Sequence, residues 1–400
     1  MEQTPRQALR EAKRIVVKLG TNVVTTAQGE LNRPLLEGLA QEIVERRRAG
    51  KQILLITSGA VRTGLARLGL PGDTEDVPTR QAAASVGQIE LIAAYREIFA
   101  RLDQPVAQVL LIQADISDPR RYLHLRNTLS TLLAQAALPI INENDPVSIQ
   151  GVAIGENDRL AALVAAKMDA ELLLLLSDVD GLFTGDPRQD PTATLIESVT
   201  SITRDIERYA RESSGGPSTG SESPLPGRQG PSRAESRGGF GRGGMVAKIQ
   251  AAKAAMNAGV YMVIARGTAP GALTRILNGE AAGTLFVPRP GKLRSRKHRI
   301  GFAFTPKGRL VVDEGARKAL LERGSSLLPV GIEHVAGQFR PGDVVSVVDS
   351  NDTEIARGLV NYGADEVRKI RRCRTSEIEA RLGYCAFDEV IHRDNLVLLE

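Results

Sequence analysis

The chain has 400 residues, 42% hydrophobic and 25% charged, ordinary globular material and long enough for two domains. Its 52 basic against 47 acidic side chains leave a formal charge of +5, which suits an anionic substrate but does not by itself indicate nucleic-acid binding. No apolar stretch reaches membrane-spanning length, MEQTPRQALREAKR holds no apolar h-region before the first strand, and the two cysteines, Cys373 and Cys385, form no CxxC pair, so a cytoplasmic protein of a reducing compartment is expected.

From Arg14 onward, short β-branched runs alternate with longer amphipathic stretches. RIVVKLG (14–20) reads as a strand, PLLEGLAQEIVERRRAG (34–50) as a helix, QILLITSGA (52–60) as a strand, QAAASVGQIELIAAYREIFARL (81–102) as a helix and VAQVLLI (106–112) as a strand. The series continues through LPIINEND (138–145), a helical RLAALVAAKMDA (159–170), ELLLLLSD (171–178), a helical VAKIQAAKAAMNAG (246–259) and YMVIARG (261–267). Strands apolar throughout, separated by helices, predict an open, mainly parallel α/β sheet covered on both faces, occupying residues 1–290.

Ligands of such sheets bind beyond the carboxyl ends of the strands. This sequence puts its polar residues there: KLGTN, TSGA, NENDP and SDVDG each follow an apolar run. Any one such loop is ordinary turn and cap chemistry, but four together argue for a shared site.

Between Ser213 and Gly244 the chain turns to Gly, Ser, Pro and Arg with almost no aliphatic residues. Such a segment cannot bury enough apolar surface to fold alone, so residues 213–242 are expected to form a mobile, lid-like insert. Basic KLRSRKHR (292–299) marks a joint, after which short alternating strands, Gly, Pro and Asp turns and one helical piece predict a small β-barrel-like domain in 291–400.

Two familiar phosphate loops are absent. Gly50-Lys51 and Gly291-Lys292 are followed by Gln52 and Leu293 rather than Ser or Thr, and KLGTN lacks the GxGxxG spacing. What remains is Lys18 at the end of the first strand, followed by Gly20, and a Gly-rich turn, GRGGMVAK, opening a helix that carries Lys248. Glycines admit phosphate close to the backbone, helix N-termini favour anions, and two ammonium groups can neutralise a phosphoryl group in transfer.

VVKLGT, TSGA, INEND, GEND, LLLLLSDVDGLFTGDPR and GGMVAK, in this order, resemble the amino acid kinase superfamily and within it the glutamate 5-kinase family; the C-terminal part resembles a PUA domain. N-acetylglutamate kinase, aspartokinase, carbamate kinase and uridylate kinase share the core architecture, but none characteristically carries a PUA domain.

The resemblance implies phosphoryl transfer from Mg-ATP to the side-chain carboxylate of L-glutamate. It implies that Lys18 and Lys248 flank the transferred group, that Asp158 orients both lysines, and that Gly20 and Gly59 supply backbone donors. Ser58, Asp145 and Asn157, with Asn142 beside them, fall on the glutamate positions. Ser177, Asp178, Arg242, Gly243, Gly244, Met245, Val246 and Ala247, with Lys18 and Lys248, fall on the ATP positions; magnesium is expected on ATP phosphates and water, with no protein ligand. A homo-oligomer, dimer or tetramer, and feedback inhibition by proline are implied as well. The insert is longer than the family's usual segment, Arg242 stands where a small residue is usual, and Ser177 replaces a common Thr but keeps the hydroxyl. RNA binding through the PUA-like domain is the rival reading, and it leaves the kinase motifs unexplained.

Overall fold

The computed structural model describes residues 5–72, 74–148, 156–213, 244–288 and 306–399. Residues 214–242 of the expected insert, Arg242 and Gly243 of the nucleotide turn, Gly155 of GEND and the basic joint 292–299 lie outside the described residues. The chain divides into two compact units, one of Met1–Gln113 and Leu129–Pro290, the other of Ala114–Thr128 and Gly291–Glu400.

Eight strands build the sheet of the first unit: β1 (Arg14–Leu19), β2 (Gln52–Ile56), β3 (Val106–Leu111), β4 (Leu138–Glu143), β5 (Leu172–Ser177), β6 (Ser198–Val199), β7 (Tyr261–Arg266) and β8 (Thr284–Phe286). They lie in the order β3-β4-β2-β1-β5-β7-β8-β6, parallel except that β8 and its neighbour β6 run against the rest. Every residue of β5 is buried, as expected of a strand with helices on both faces. The open, mainly parallel sheet expected from the apolar runs is therefore present.

Register brings the site together. Lys18 of β1 is level with Ile56 of β2 and Leu175 of β5, and Ile56 is level with Ile141 of β4. The carboxyl ends of β4, β2, β1 and β5 thus stand side by side, and the loops NENDP, TSGA, KLGTN and SDVDG that leave them share one edge of the sheet.

The Val77–Ala100 helix begins four residues earlier than the periodicity suggests. Asp76 caps it, accepting from the Thr79 N–H at 2.9 Å, and Pro78 sits in the first turn, where its missing N–H is harmless. This helix packs backbone to backbone against the Ala60–Arg67 helix. A Cβ added at Gly64 would sit 1.7 Å from Ala83 O, and one at Gly87 1.9 Å from Ala60 O, so both glycines are steric requirements of the contact.

The second unit carries β9 (Gly308–Val312), β10 (Ile332–Gly337), β11 (Val344–Val348), β12 (Glu354–Leu359) and β13 (Leu396–Leu398). Their order is β10-β9-β11-β12-β13, with only β9 and β11 parallel. Leu310, Val312, Val345 and Val347 of the sheet pack with Val367 and Ile370 of the Ala364–Ile370 helix. Cys373 is buried in this core and Cys385 is exposed; both are free thiols. Among the described residues no helix is long and apolar enough to cross a membrane.

Candidate active site

Lys18 is one residue from the end of β1 and only 8% exposed. A buried ammonium is stable only with a partner, and the partner is Asp158, 1% exposed in the first turn of the Glu156–Lys167 helix, where the helix dipole favours an anion. Asp158 Oδ1 lies 2.7 Å from Lys18 Nζ, and Oδ2 lies 3.4 Å from Lys248 Nζ. Lys248 is also buried, in the first turn of the Met245–Asn257 helix. One carboxylate therefore joins two lysines that are far apart in the sequence.

Burial pushes the Asp158 carboxyl upward, but Lys18 and Lys248 together outweigh it and hold the group below the usual carboxylate range. Burial lowers Lys18, against the pull of Asp158 and with a further push from Lys248. Asp158 opposes the fall of Lys18 and places both lysines.

A second constellation lies at the ends of β2 and β4. Asn157, next to Asp158, donates from Nδ2 to Ser58 Oγ at 3.0 Å and to Asn142 Oδ1 at 3.2 Å. Asn142 in turn donates to Gln88 Oε1 at 2.8 Å. Among the described residues Asn157 Oδ1 is buried without a hydrogen-bond partner, an acceptor open to a ligand donor. Ser58 precedes Gly59, whose φ of +106° lies in the left-handed region that glycine occupies without strain.

Asp145 and Glu143 line a cleft of about 290 Å³ together with Gln88, Gln108 and the apolar Ile92 and Leu110. Burial, with the Glu143 carboxylate adding and Arg80 opposing, raises the Asp145 carboxyl to about 7. A cation seated beside Asp145 would favour its ionised form, because the cation's charge offsets the burial and the Glu143 repulsion.

At the end of β5, Ser177 Oγ donates to Asp178 Oδ1 at 3.0 Å, and Asn22 Nδ2 donates to Asp178 Oδ2 at 2.7 Å. Burial raises Asp178, but the Asn22 and Ser177 hydrogen bonds prevail and leave it lowered. Gly244 caps the Met245–Asn257 helix without a side chain, so its first turn presents backbone N–H groups. Val246 is exposed there and Ala247 half-buried, whereas the Met245 side chain is buried.

One expectation needs correction. Gly20 is not a free backbone donor, since its N–H is engaged with Leu176 O at 2.9 Å, a bond that ties the end of β1 to β5. A Cβ there would make only ordinary contacts, 3.4 Å from Leu176 O and 3.9 Å from Lys18 Nζ. Sequence reasoning also missed Gln88 and Asn22. Asn22 lay within KLGTN, already marked as a strand-end loop, while Gln88 sits mid-helix, where a glutamine ordinarily faces solvent. Among the described residues no group of three or more His, Cys, Asp or Glu side chains is placed to hold a metal ion.

Comparison with known proteins agrees with this geometry. The model of the amino acid kinase family matches residues 13–266, and the PUA domain model matches 308–382. The glutamate 5-kinase of Geobacter sp. (strain M21) is 44% identical over 394 residues, 98% of this chain and 100% of that protein. The glutamate 5-kinase of Caldanaerobacter subterraneus subsp. tengcongensis is 45% identical over 387 residues, 97% of this chain and 98% of that protein. A solved UMP kinase from Bacillus anthracis covers 69% of this chain and 96% of its own at 17% identity and a TM-score of 0.45. Family model and full-length relatives agree: the chain belongs to the amino acid kinase family and, within it, to the glutamate 5-kinases, with a C-terminal PUA domain.

Proposed function

We propose that this enzyme phosphorylates the side-chain carboxylate of L-glutamate with ATP, giving L-glutamyl 5-phosphate, the first step of proline biosynthesis. The observation that carries the reading is the Asp158 carboxylate held between Lys18 and Lys248, beside the Ser58–Asn157–Asn142 network.

The chemistry follows from charge. The glutamate γ-carboxylate is ionised at neutral pH and needs no general base. One of its oxygens bonds to the γ-phosphorus of ATP as the bond to the bridging oxygen breaks, and ADP leaves with that oxygen. Lys18 and Lys248 stabilise the negative charge of the group in transfer, so catalysis is positioning plus electrostatics. The N–H groups of Gly244, Met245 and Val246 meet the ATP phosphates, while those of Ala247 and Lys248 close the first turn on Gly244 O, and Ser177 and Asp178 meet the nucleotide. Asp145 meets the substrate ammonium, Asn157 Oδ1 accepts from the same group, and the Ser58 hydroxyl donates to a substrate oxygen.

Magnesium would be held by ATP phosphates and water and would help neutralise the triphosphate; Asp158 is already engaged with two lysines. On the same family reading the enzyme is cytoplasmic and a homo-oligomer, dimer or tetramer. Proline, which shares an α-carboxylate and an ammonium with glutamate, is its feedback inhibitor at the glutamate site.

The test is ATP-dependent formation of γ-glutamyl hydroxamate with hydroxylamine as trap, comparing L-glutamate, N-acetylglutamate and aspartate, with and without proline. A glutamate-selective, proline-sensitive signal is expected. No product with glutamate from folded protein would overturn the reading.

A further inference from the structure

The direction of the hydrogen-bond chain at the glutamate site needs a cause. Asn157 gives both amide hydrogens away, to Ser58 Oγ and Asn142 Oδ1, and its Oδ1 has no partner among the described residues. Asn142 can accept there only while its own Nδ2 points elsewhere, and Nδ2 points to Gln88 Oε1. The two ends of a carboxamide are nearly equal in size, so shape alone does not stop such a chain from reversing, and direction must be set at its terminus.

Gln88 is placed to set it. It lines the cleft that also contains the carboxylates of Glu143 and Asp145. An amide facing acidic groups turns its NH2 toward them and its oxygen away, which here is toward Asn142. Gly87 gives the reach: its missing Cβ lets the Val77–Ala100 helix rest directly on Ala60 O, at the start of the helix that follows Ser58 and Gly59.

We propose that Gln88 is a positioning residue of the amino-acid site. Its Oε1 fixes the Asn142 amide, Asn142 fixes Asn157, and the chain ends with one acceptor, Asn157 Oδ1, and one donor, the Ser58 hydroxyl, reserved for the amino acid. The proposal rests on reading this network as the glutamate site.

The experiment is steady-state kinetics and thermal melting of full-length Gln88→Leu, Asn142→Ala and the double variant. Gln88→Leu is expected to raise the glutamate KM about tenfold by leaving a buried amide unmatched, with kcat and the ATP KM within about twofold. Because Gln88 acts through Asn142, the double variant should be no worse than Asn142→Ala alone. An unmoved glutamate KM in Gln88→Leu, a loss confined to kcat, or additive effects in the double variant would overturn the proposal. If Gln88→Leu does not fold, Gln88→Asn decides, since it keeps the amide but withdraws it by one methylene: a raised KM supports the proposal and an unchanged one overturns it. Wild-type protein inactive with glutamate would overturn the site reading itself, whereas active wild type with an unmoved KM in Gln88→Leu overturns the positioning role alone.

Discussion

Lys248 Nζ stands 3.4 Å from Asp158 Oδ2, the oxygen that Lys18 leaves to it. A lysine so held acts on charge that develops during transfer, not on the resting amino acid. Lys248→Ala should therefore cut turnover by about 100-fold or more while moving the glutamate KM by less than about threefold. Initial-rate kinetics over both substrates check it, and an unchanged turnover would remove Lys248 from the mechanism.

Asp158→Asn should act on the alkaline side of the pH profile. Lys18 must be protonated to act; burial lowers its pKa and Asp158 opposes that fall. With the opposing anion gone the lysine loses its proton at lower pH, so the alkaline decline of kcat should begin earlier than in wild type, on top of a turnover loss of about 100-fold. A decline at the wild-type pH would show that Asp158 does not support the lysine's charge.

Asp145, raised to about 7, links glutamate binding to pH. Below that value the free enzyme carries a neutral carboxyl and the substrate ammonium meets no counter-charge; above it the carboxylate is formed. The glutamate KM should fall as pH rises from about 6 to about 8, by up to about tenfold per unit, and then level off. Asp145→Asn should give a high KM without this dependence, and a persisting slope would assign the titration to another group.

Gly87→Ala tests the backbone contact between the two helices. A methyl 1.9 Å from Ala60 O forces the helices apart, and overpacking of this kind costs about 2 kcal/mol or more. Urea unfolding of the variant measures it, and a midpoint matching wild type would mean the contact relaxes freely.

Much of this architecture is written locally in the chain. LLLLLS and IVVKL are continuous apolar runs because their strands are covered on both faces, and the rule that ligands lie at strand carboxyl ends joins four polar loops into one site from the sequence alone. The Pro119–Ala134 helix was not read, since the charges of PRRYLHLRNTLSTLLA blur its apolar face. Long-range pairings were legible only through family likeness. Nothing local tells that Asp158 meets Lys18, or that Gly64 and Gly87, which as helix-interior glycines look like weak points, are where two helices touch. Gln88 was missed because its role arises from Asn142, 54 residues away.

Around Asp158, two buried ammonium groups share one buried carboxylate, and Asp178 is the next anion they feel. A metaphosphate-like group in transfer carries one negative charge. The lysines are fixed before the substrates arrive, so they need not reorganise as the charge of the group in transfer moves from the ATP side to the glutamate side.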